Sequence, residues 1–258
     1  PILLTGGAGL NVLLNERIRK QSGVPVFVPV NPNDCGLTFG MMAYKWAPDN
    51  ERKKATITYN GFGILDMQIL PAMVEKHGAV QVSIKELARL ISQHKIIGVL
   101  RGNSEVGPRA LGNRSILCYP SKGMKDTLNK IKHREFYRPF APVIKLEDIN
   151  KYFYSYDESQ FMAFCPIVRQ LWHNDVPSIV HHDLTARVQT VTKDQNEWLY
   201  DLIDAVDTIT GLSMLLNTSF NIKGLPMLTT IEDALHVLET TELDHVYIEG
   251  WLFTKKAE

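Results

Sequence analysis

Cationic side chains are concentrated in one stretch of this sequence. Residues 101–138 contain nine Lys and Arg but only three Asp and Glu, whereas the whole chain of 258 residues balances 28 against 28. The same stretch includes Gly102, Gly107, Pro108 and Gly112, residue types that favour tight turns and close backbone approach. Guanidinium groups held on such a frame suit bidentate binding of phosphate or carboxylate. We therefore predict a site for small anions in this stretch.

The motif GNSEVGPRALGNRSI at residues 102–116 is typical of an anion-binding loop. It combines glycines and a proline with Arg109, Asn113, Arg114 and Ser115. It lacks the GxxxxGK[ST] pattern of a P-loop, so phosphate contacts would come from side chains more than from a helix N-terminus. A glycine-rich turn that carries surface arginines would give the same pattern and stays open as an alternative.

A second basic motif, KHREFYRPFAP at residues 132–142, follows within the same stretch. It places Lys132, Arg134 and Arg138 within seven residues. If the backbone is extended here, Lys132 and Arg134 share one face and converge on one ligand. A solvated charge run is the alternative, but the apolar PFAP that follows ties the motif to a packed edge.

Two further motifs place polar groups beside strands that are predicted from the sequence. LLNTSFNIKG (215–224) leads from an apolar strand into Thr218, Ser219 and Asn221, small side chains that commonly contact ligands at strand ends. An N-cap or Asx-turn would explain the same residues. DLTARVQTV places Arg187 at the head of another strand, which is suggestive only.

The bulk composition excludes several classes of protein. A net charge of zero and a basic excess confined to one stretch argue against a nucleic-acid partner. No apolar run approaches the ~20 residues that a bilayer span needs, so no membrane partner is expected. The three cysteines lack CxxC spacing and are expected to be reduced thiols of a cytoplasmic protein. The chain opens directly on the apolar PILLTGGAG, which suggests a piece of a longer protein.

These motifs need a scaffold of strands and helices to hold them. Over residues 1–47, the order strand, glycine turn, helix, strand, helix predicts the end of a larger α/β domain. Residues 48–80 are expected to form a linker or peripheral segment. From residue 81 to residue 258, strands and helices mix without strict alternation, which predicts a second domain of mixed α/β to α+β class.

Hydrophobic periodicity predicts the individual elements of this scaffold. Ser83 is the expected N-cap of one helix, and Gly211 is expected to end another. The predicted helices cover 10–21, 36–47, 82–95, 124–132, 198–211 and 230–241. The predicted strands cover 2–5, 24–30, 96–101, 139–144, 187–192, 214–220 and a pair within 245–255.

Taken together, four strings resemble the NodU/CmcH-type O-carbamoyltransferases of nodulation-factor and antibiotic biosynthesis. They are EVGPRALGNRSIL, MKDTLNKIKHREFYRPFAPVI, DLTARVQTV and LLNTSFNIKGLPM, and they occur in the family's order. LLTGGAGLNVLLNERI and VFVPVNPNDCGLTFGMMA resemble the closing segment of the family's N-terminal domain. The resemblance implies a YrdC-like mixed α/β domain preceded by a fragment of an actin-like, sugar-kinase-like domain.

The resemblance also implies a reaction in two steps. The YrdC-like domain joins carbamoyl phosphate to ATP, giving carbamoyl-adenylate and pyrophosphate, with ATP as substrate accompanied by Mg²⁺. The N-terminal domain, using a bound iron, then passes the carbamoyl group to a hydroxyl of a small-molecule acceptor. The N-terminal domain is therefore an expected partner of the chain described here.

The matching motifs carry residue roles onto this sequence. As the resemblance implies, Lys132, Arg134 and Arg138 are basic catalytic ligands of phosphate and carbamoyl groups, and Ser219 with Asn221 closes the site. Further expected contacts to substrate or nucleotide, all implied by the same resemblance, come from Arg109, Asn113, Arg114, Arg187, Gly6, Gly7 and Asn11. Asp34 matches a carboxylate ligand of the family's metal.

Two departures from the family pattern limit what this chain is expected to do. Asn103 stands where the family often has arginine, and Arg101 is expected to compensate in part. The HxxxH metal pair is absent from the sequence, and Asp34 alone makes an incomplete site. We therefore expect the chain to bind no catalytic iron and to perform only the adenylate-forming half-reaction.

Two other functions remain open at the level of sequence. A threonylcarbamoyl-adenylate synthase for tRNA modification would share the YrdC-like chemistry, although the PRALGNRS and RPFAP strings favour an O-carbamoyltransferase. A non-catalytic module that binds nucleotides or anions would also keep the basic motifs.

Overall fold

Short strands and helices follow one another irregularly in the structure, a computed structural model that describes residues 1–46, 57–154 and 156–255. The strands in these ranges are β1 (Ile2–Leu3), β2 (Val26–Phe27), β3 (Val80–Gln81), β4 (Ile97–Leu100), β5 (Arg114–Cys118), β6 (Ala141–Lys145), β7 (Gln189–Val191), β8 (Met214–Ser219), β9 (His245–Ile248) and β10 (Trp251–Thr254). The α-helices are α1 (Val12–Ser22), α2 (Leu37–Trp46), α3 (Leu70–His77), α4 (Ile84–Ser92), α5 (Met124–Ile131), α6 (Ile149–Tyr152), α7 (Glu197–Thr210) and α8 (Ile231–Thr240). Five 3₁₀ helices cover Gly7–Leu10, Asp34–Gly36, Met67–Ile69, Leu146–Asp148 and Gln170–Trp172 within the described ranges.

A mixed sheet of eight strands, in the order β3-β10-β9-β4-β5-β8-β6-β7, forms the central layer. The pairs β4–β9 and β6–β7 are parallel, and the other neighbouring pairs are antiparallel. β1 and β2 form a separate parallel pair near the start of the chain. The mixture of parallel and antiparallel pairs confirms the predicted mixed α/β class.

Helices cover both faces of this sheet. Along β5, Ile116 belongs to one buried cluster and Leu117 to the other, because successive strand side chains point to opposite faces. α4 and α7 pack on the Leu117 face, whereas α5 and α8 lie on the Ile116 face. The central strands are therefore buried on both sides, and polar groups at their ends stand out as candidates for function.

Two of the predicted helix ends are confirmed by their local geometry. The Ser83 hydroxyl accepts a hydrogen bond from the Glu86 N–H at 3.3 Å, and the Glu86 carboxylate accepts one from the Ser83 N–H at 2.7 Å. This capping box satisfies donors that the first turn of α4 leaves free. Gly211 ends α7 in the left-handed conformation at φ 75°, which glycine adopts without steric cost.

The structure differs from the sequence-based prediction at two places. β5 lies in the stretch that was predicted as a continuous anion-binding loop, so the loop ends at Asn113 and Arg114 begins a strand. The segment 48–80, predicted as a linker, contains α3 and the first residue of β3, which pairs with β10. Residues 47–56 lie outside the described residues, and the predicted domain boundaries stay a prediction.

Within the described ranges, no helix combines the length and apolar character that crossing a bilayer would require.

Candidate functional site

One edge of the central sheet gathers most of the predicted site residues. β8 ends at this edge with Ser219, and its antiparallel neighbours β5 and β6 begin there. β7 runs parallel to β6 and begins at the same edge, two residues after Arg187. Because β5 follows the basic loop and β6 follows Arg138, the topology brings sequence-distant cations to one place.

A cavity of about 250 Å³ lies at this edge, and we call it the arginine pocket. Four guanidinium groups contribute to its lining together with Ser219. The lining residues are Pro108, Arg109, Ala110, Arg134, Arg138, Pro139, Met162, Arg187, Asn217, Thr218 and Ser219. The structure therefore brings together five predicted site residues, Arg109, Arg134, Arg138, Arg187 and Ser219, although their contact with a ligand stays a prediction.

The arginine pocket concentrates positive charge in partly dry surroundings. Burial, followed by the nearby Arg109 and Arg134 guanidinium groups, lowers the pKa of Arg187 to about 9. Burial, followed by Arg138, lowers the pKa of Arg134 to about 10, and burial also lowers the pKa of Arg109. The guanidinium groups of the pocket repel one another, and an anion bound between them would relieve this repulsion.

Carboxylates neutralise little of this charge. In the described ranges, Arg109, Arg134 and Arg187 take part in no ion pair closer than 4 Å, whereas Arg138 Nε lies 2.8 Å from Glu135 Oε2. Glu135 also pairs with Lys223, whose hydrogen bond is the main cause that lowers the Glu135 pKa to about 2. An anionic ligand would therefore find at least three guanidinium groups that lack a carboxylate partner in the described ranges.

The turn after α5 holds Arg134 in place. Arg134 Nε donates to Asn129 Oδ1 at 3.1 Å, and its guanidinium carbon lies 4.6 Å from the centre of the Phe140 ring. Asn129 Nδ2 donates to the carbonyls of Phe136 and Arg138 at 3.0 and 3.1 Å, which closes the turn. The backbone at 132–134 is not extended, because Lys132 caps α5 and His133 has a φ of 49°, so the condition under which Lys132 and Arg134 would share one face is not met.

Lys132 lies behind Ser219 and does not line the pocket. Its side-chain nitrogen donates to the carbonyl oxygens of Ser219 and Asn221, to Asn221 Oδ1 at 2.8 Å and to Ser219 Oγ at 3.3 Å. Ser219 Oγ in turn donates to Asn221 Oδ1 at 2.6 Å. Lys132, with 2% of its surface exposed, therefore joins the half-buried Ser219 and Asn221 into one hydrogen-bonded unit.

Lys132 should make anion binding depend on pH. Burial, and secondarily Arg134, lowers the pKa of Lys132 to about 7. An anion near Ser219 stabilises the ammonium form and raises this pKa, so binding above pH 7 takes up a proton. We expect sulfate affinity to fall as pH rises from 7 to 9, by up to about tenfold per pH unit.

Sulfate suits this measurement because it stays dianionic over the whole range. Calorimetry at pH 8 in two buffers with different ionisation heats should detect uptake of up to about one proton per sulfate. Lys132→Met should remove the uptake, and Lys130→Met, on the same helix but exposed and paired with Glu242, should not. Sulfate binding without proton uptake at pH 8 would show that Lys132 does not sense the ligand.

Arg114 requires a correction, because the structure does not bring it to the arginine pocket. Its side chain is fully buried at the start of β5. The guanidinium donates to the carbonyls of Arg101, Gly102, Asn113 and Phe62 at 2.5 to 3.2 Å. Its expected contact with an anion is therefore replaced by a structural role in the loop that precedes β5.

Asn113 and Arg101 also face away from the arginine pocket. Asn113 Oδ1 accepts from Arg101 Nη1 at 2.9 Å, and Asn113 Nδ2 donates to the Asn103 carbonyl at 2.8 Å. The Arg101 guanidinium lies over the Trp198 ring, 4.8 Å from its centre. Both residues line a different cavity of about 440 Å³, and the compensation of Asn103 by Arg101 stays a prediction.

The predicted N-terminal nucleotide and metal residues lie in another part of the molecule. Gly6 and Asp34 line an apolar cavity of about 690 Å³, and Gly7 begins a 3₁₀ helix. Asn11 Oδ1 caps α1 by accepting from the Leu14 N–H at 3.1 Å. Across the described residues, no three His, Cys, Asp or Glu side chains come close enough to hold a metal, so Asp34 has no partner ligands there.

Several residues of the site were missed by reading the sequence. Asn217 is fully buried in β8 and donates to the Ala110 carbonyl and to Gln189 Oε1. Glu105 belongs to the loop that carries Arg109, and its side chain is buried. The available signal was a polar residue inside an otherwise apolar strand, as in LLNTS, and an acidic residue inside a basic loop.

Comparison with known proteins identifies relatives for nearly the whole chain. A 34% identical relative over 266 residues is nodulation protein U of Rhizobium tropici, where the match covers 99% of this chain and 44% of that protein. Nodulation protein NolNO of Sinorhizobium fredii is 35% identical, with 98% and 39% covered. An uncharacterized protein of Methanocaldococcus jannaschii is 31% identical, with 98% and 51% covered. The chain thus spans about half the length, or less, of these relatives.

Among solved structures, full-length HypF in its phosphate- and nucleotide-bound form superposes with a TM-score of 0.46 at 17% identity, covering 68% of this chain and 26% of that one. The family described as Carbamoyltransferase C-terminus matches residues 88–255, which include every residue that lines the arginine pocket. The resemblance to the NodU-type carbamoyltransferases is thereby confirmed, and the chain belongs to the carbamoyltransferase C-terminus family.

Proposed function

We propose that the arginine pocket binds carbamoyl phosphate and the phosphates of ATP and that this chain forms carbamoyl-adenylate. The adenylate then serves an O-carbamoyltransferase reaction on a hydroxyl of a small-molecule acceptor. One observation carries this proposal: four guanidinium groups and Ser219 converge on a cavity of about 250 Å³, and three of the four lack a carboxylate partner in the described ranges. Family membership supplies the carbamoyl group as the chemistry.

The reaction balances without a nucleophilic side chain. Water breaks the carbamoyl–phosphate bond, which releases phosphate and carbamate. A carbamate oxygen then attacks the α-phosphorus of ATP, forming the new O–P bond while the α–β bridge breaks and pyrophosphate leaves. Charge builds on the phosphate oxygens during this attack, and guanidinium groups already fixed in place stabilise it.

The residues of the pocket divide this work between them. Arg187 and Arg109 are the desolvated cations that hold phosphate oxygens, and Arg134 is fixed between Asn129 and Phe140. Lys132 keeps Ser219 and Asn221 in one arrangement and takes up a proton when the anion binds above pH 7. The lining contains no carboxylate, so Mg²⁺ would enter on the nucleotide phosphates.

Pyrophosphate exchange tests the proposal. Wild-type chain should incorporate labelled pyrophosphate into ATP only when carbamoyl phosphate is present. Lys132→Ala and Arg138→Ala should each lower this exchange by about a hundredfold or more, because each loses a charge-assisted contact. Arg89→Ala, an exposed arginine on α4, is the matched control and should keep the wild-type rate.

Other outcomes of the same assay identify the competing functions. Exchange that requires threonine and bicarbonate in place of carbamoyl phosphate would indicate a threonylcarbamoyl-adenylate synthase. Tight ATP binding with no pyrophosphate release under either condition would indicate a non-catalytic binding module. Wild-type exchange rates in both pocket variants would remove Lys132 and Arg138 from the chemistry.

A further inference from the structure

The loop between β4 and β5 carries Arg109, and contacts with other groups hold its backbone on both flanks of that residue. The loop runs from Arg101 to Asn113 and joins two antiparallel neighbours in the sheet. A loop of this length between adjacent strands would ordinarily be mobile. Here its N–H groups and carbonyls are bonded by buried side chains from several elements, which gives Arg109 a defined starting geometry.

Glu105 binds the N–H groups that follow Arg109. Its Oε1 accepts from the Leu111 and Asn113 N–H groups at 2.7 Å each and from the Arg114 N–H at 3.3 Å. Only 5% of Glu105 is exposed to solvent. Hydrogen bonds to an ionised carboxylate are short and strong when water is excluded, so this contact fixes residues 111–114 firmly.

Other groups fix the carbonyls of the same turn and the backbone before Arg109. The Ala110 carbonyl accepts from Asn217 Nδ2 at 3.2 Å, and the Leu111 carbonyl accepts from Tyr59 Oη at 3.0 Å. Gly107 has a φ of +128°, and a Cβ there would lie 2.5 Å from the Val30 carbonyl oxygen. Arg109 therefore extends from a short span that is fixed at both ends.

The Arg114 guanidinium, at the start of β5, is a buried cation near Glu105. The buried Arg114 guanidinium binds carbonyls of residues 101, 102 and 113, while Glu105 binds N–H groups of residues 111, 113 and 114. Glu105 raises the pKa of Arg114 and so opposes the lowering by burial. Arg114 thus supplies positive charge near this carboxylate without the use of a guanidinium of the arginine pocket.

We infer that Glu105 is a positioning residue of the arginine pocket, because its carboxylate fixes the backbone of residues 111–114 and thereby directs Arg109 toward the bound anion. Glu105 itself does not line the pocket. The inference rests on the proposed function in one respect only, which is that an anion binds beside Arg109.

Calorimetric titration with inorganic tripolyphosphate tests this role. Glu105→Ala should weaken binding by about tenfold or more, and Glu105→Gln should stay within about threefold of wild type because its amide oxygen still accepts from the same N–H groups. Arg109→Ala should weaken binding by a similar or larger factor. The double variant should bind no more weakly than Arg109→Ala alone, because the two side chains act through one contact.

A matched carboxylate separates positioning from general stability. Asp244 accepts from the Ile96 N–H at 2.9 Å and pairs with Lys95. Both partners directly precede β4, at the end of the strand opposite to the loop that carries Arg109. Asp244→Ala should lower the melting temperature but leave tripolyphosphate affinity unchanged. Wild-type affinity in Glu105→Ala, or effects of Glu105→Ala and Arg109→Ala that multiply in the double variant, would overturn the inference.

Hydrogen exchange distinguishes failure of this inference from failure of the proposed function. Without any ligand, the amides of Leu111, Asn113 and Arg114 should exchange slowly in wild type and in Glu105→Gln but quickly in Glu105→Ala. If wild type binds no tripolyphosphate, the proposed anion site is wrong, whereas the amide protection still reports on Glu105. Equal protection in wild type and Glu105→Ala would contradict the role given to Glu105.

Discussion

Arg187→Gln should abolish tripolyphosphate binding by this chain and raise its melting temperature at the same time. Arg187 precedes β7 and lies in the arginine pocket with Arg109 and Arg134, and burial and these neighbours lower its pKa to about 9. No hydrogen bond from the Arg187 side chain occurs among the described residues. The folded chain without ligand therefore carries an unfavourable cation at this position.

The two effects have one electrostatic cause. Removing Arg187 should weaken binding by about a hundredfold or more, because a desolvated guanidinium is among the strongest partners of a polyphosphate. Relief of about 1–2 kcal/mol of repulsion should raise the melting temperature of the ligand-free chain by about 2–6 °C. Scanning calorimetry with and without tripolyphosphate measures both quantities on one sample.

The variant Arg89→Gln is the control for Arg187→Gln. Arg89→Gln, on the exposed side of α4, should change neither affinity nor melting temperature. Tripolyphosphate should raise the melting temperature of wild type and of Arg89→Gln but not of Arg187→Gln. If Arg187→Gln still gains stability from tripolyphosphate, the arginine pocket is not the anion site.

The convergence of Arg109, Arg134, Arg138 and Arg187 was predictable from the sequence because each lies in a motif of one family. Periodicity alone could not show it, since Arg109 and Arg187 are 78 residues apart and meet only through the order β5-β8-β6-β7. The helices α4 and α7 were predictable for a simpler reason. Their apolar periodicity is strong, and Ser83 and Gly211 mark one end of each.

The role of Arg114 was not predictable from its neighbours. Arg109 and Arg114 share one glycine-rich string, and nothing local in GNRSILC shows that the loop stops at Asn113. The start of β5 is set by its pairing with β4 and β8, which are distant in sequence. Once β5 begins at Arg114, its side chain faces backbone carbonyls of the loop in place of solvent or ligand.

Contacts between residues distant in sequence also explain why β3 and the position of Lys132 were not predicted. β3 has only two residues and is defined by pairing with β10, about 170 residues later. Lys132 was expected to converge with Arg134 on one ligand if the backbone at 132–134 were extended. The end of α5 instead turns Lys132 toward Ser219 and Asn221. Hydrogen bonds of the Lys132 side chain therefore join the motif KHREFYRPFAP to the motif LLNTSFNIKG.

Arg114→Met should cost about 3–5 kcal/mol of the free energy of unfolding, the largest stability loss expected for any arginine of the basic stretch. The substitution leaves four backbone carbonyls without this donor and removes a buried cation near the Glu105 carboxylate. Arg114→Lys should lose about half as much, because an ammonium keeps the charge but cannot reach all four carbonyls. Urea unfolding followed by circular dichroism measures these differences.

The variants Arg114→Met and Arg187→Gln together test whether Arg114 has a structural role or binds the anion. Both arginines were expected to bind anions, yet one donates to four carbonyls and the other faces a cavity with other cations. Arg187→Gln should therefore gain stability and lose binding, whereas Arg114→Met should lose stability first. If Arg114→Met unfolds at the wild-type urea concentration while losing tripolyphosphate affinity, Arg114 is a ligand after all. An opposite sign of the stability change in the two variants would show that different motifs supply the scaffold arginine and the binding arginine.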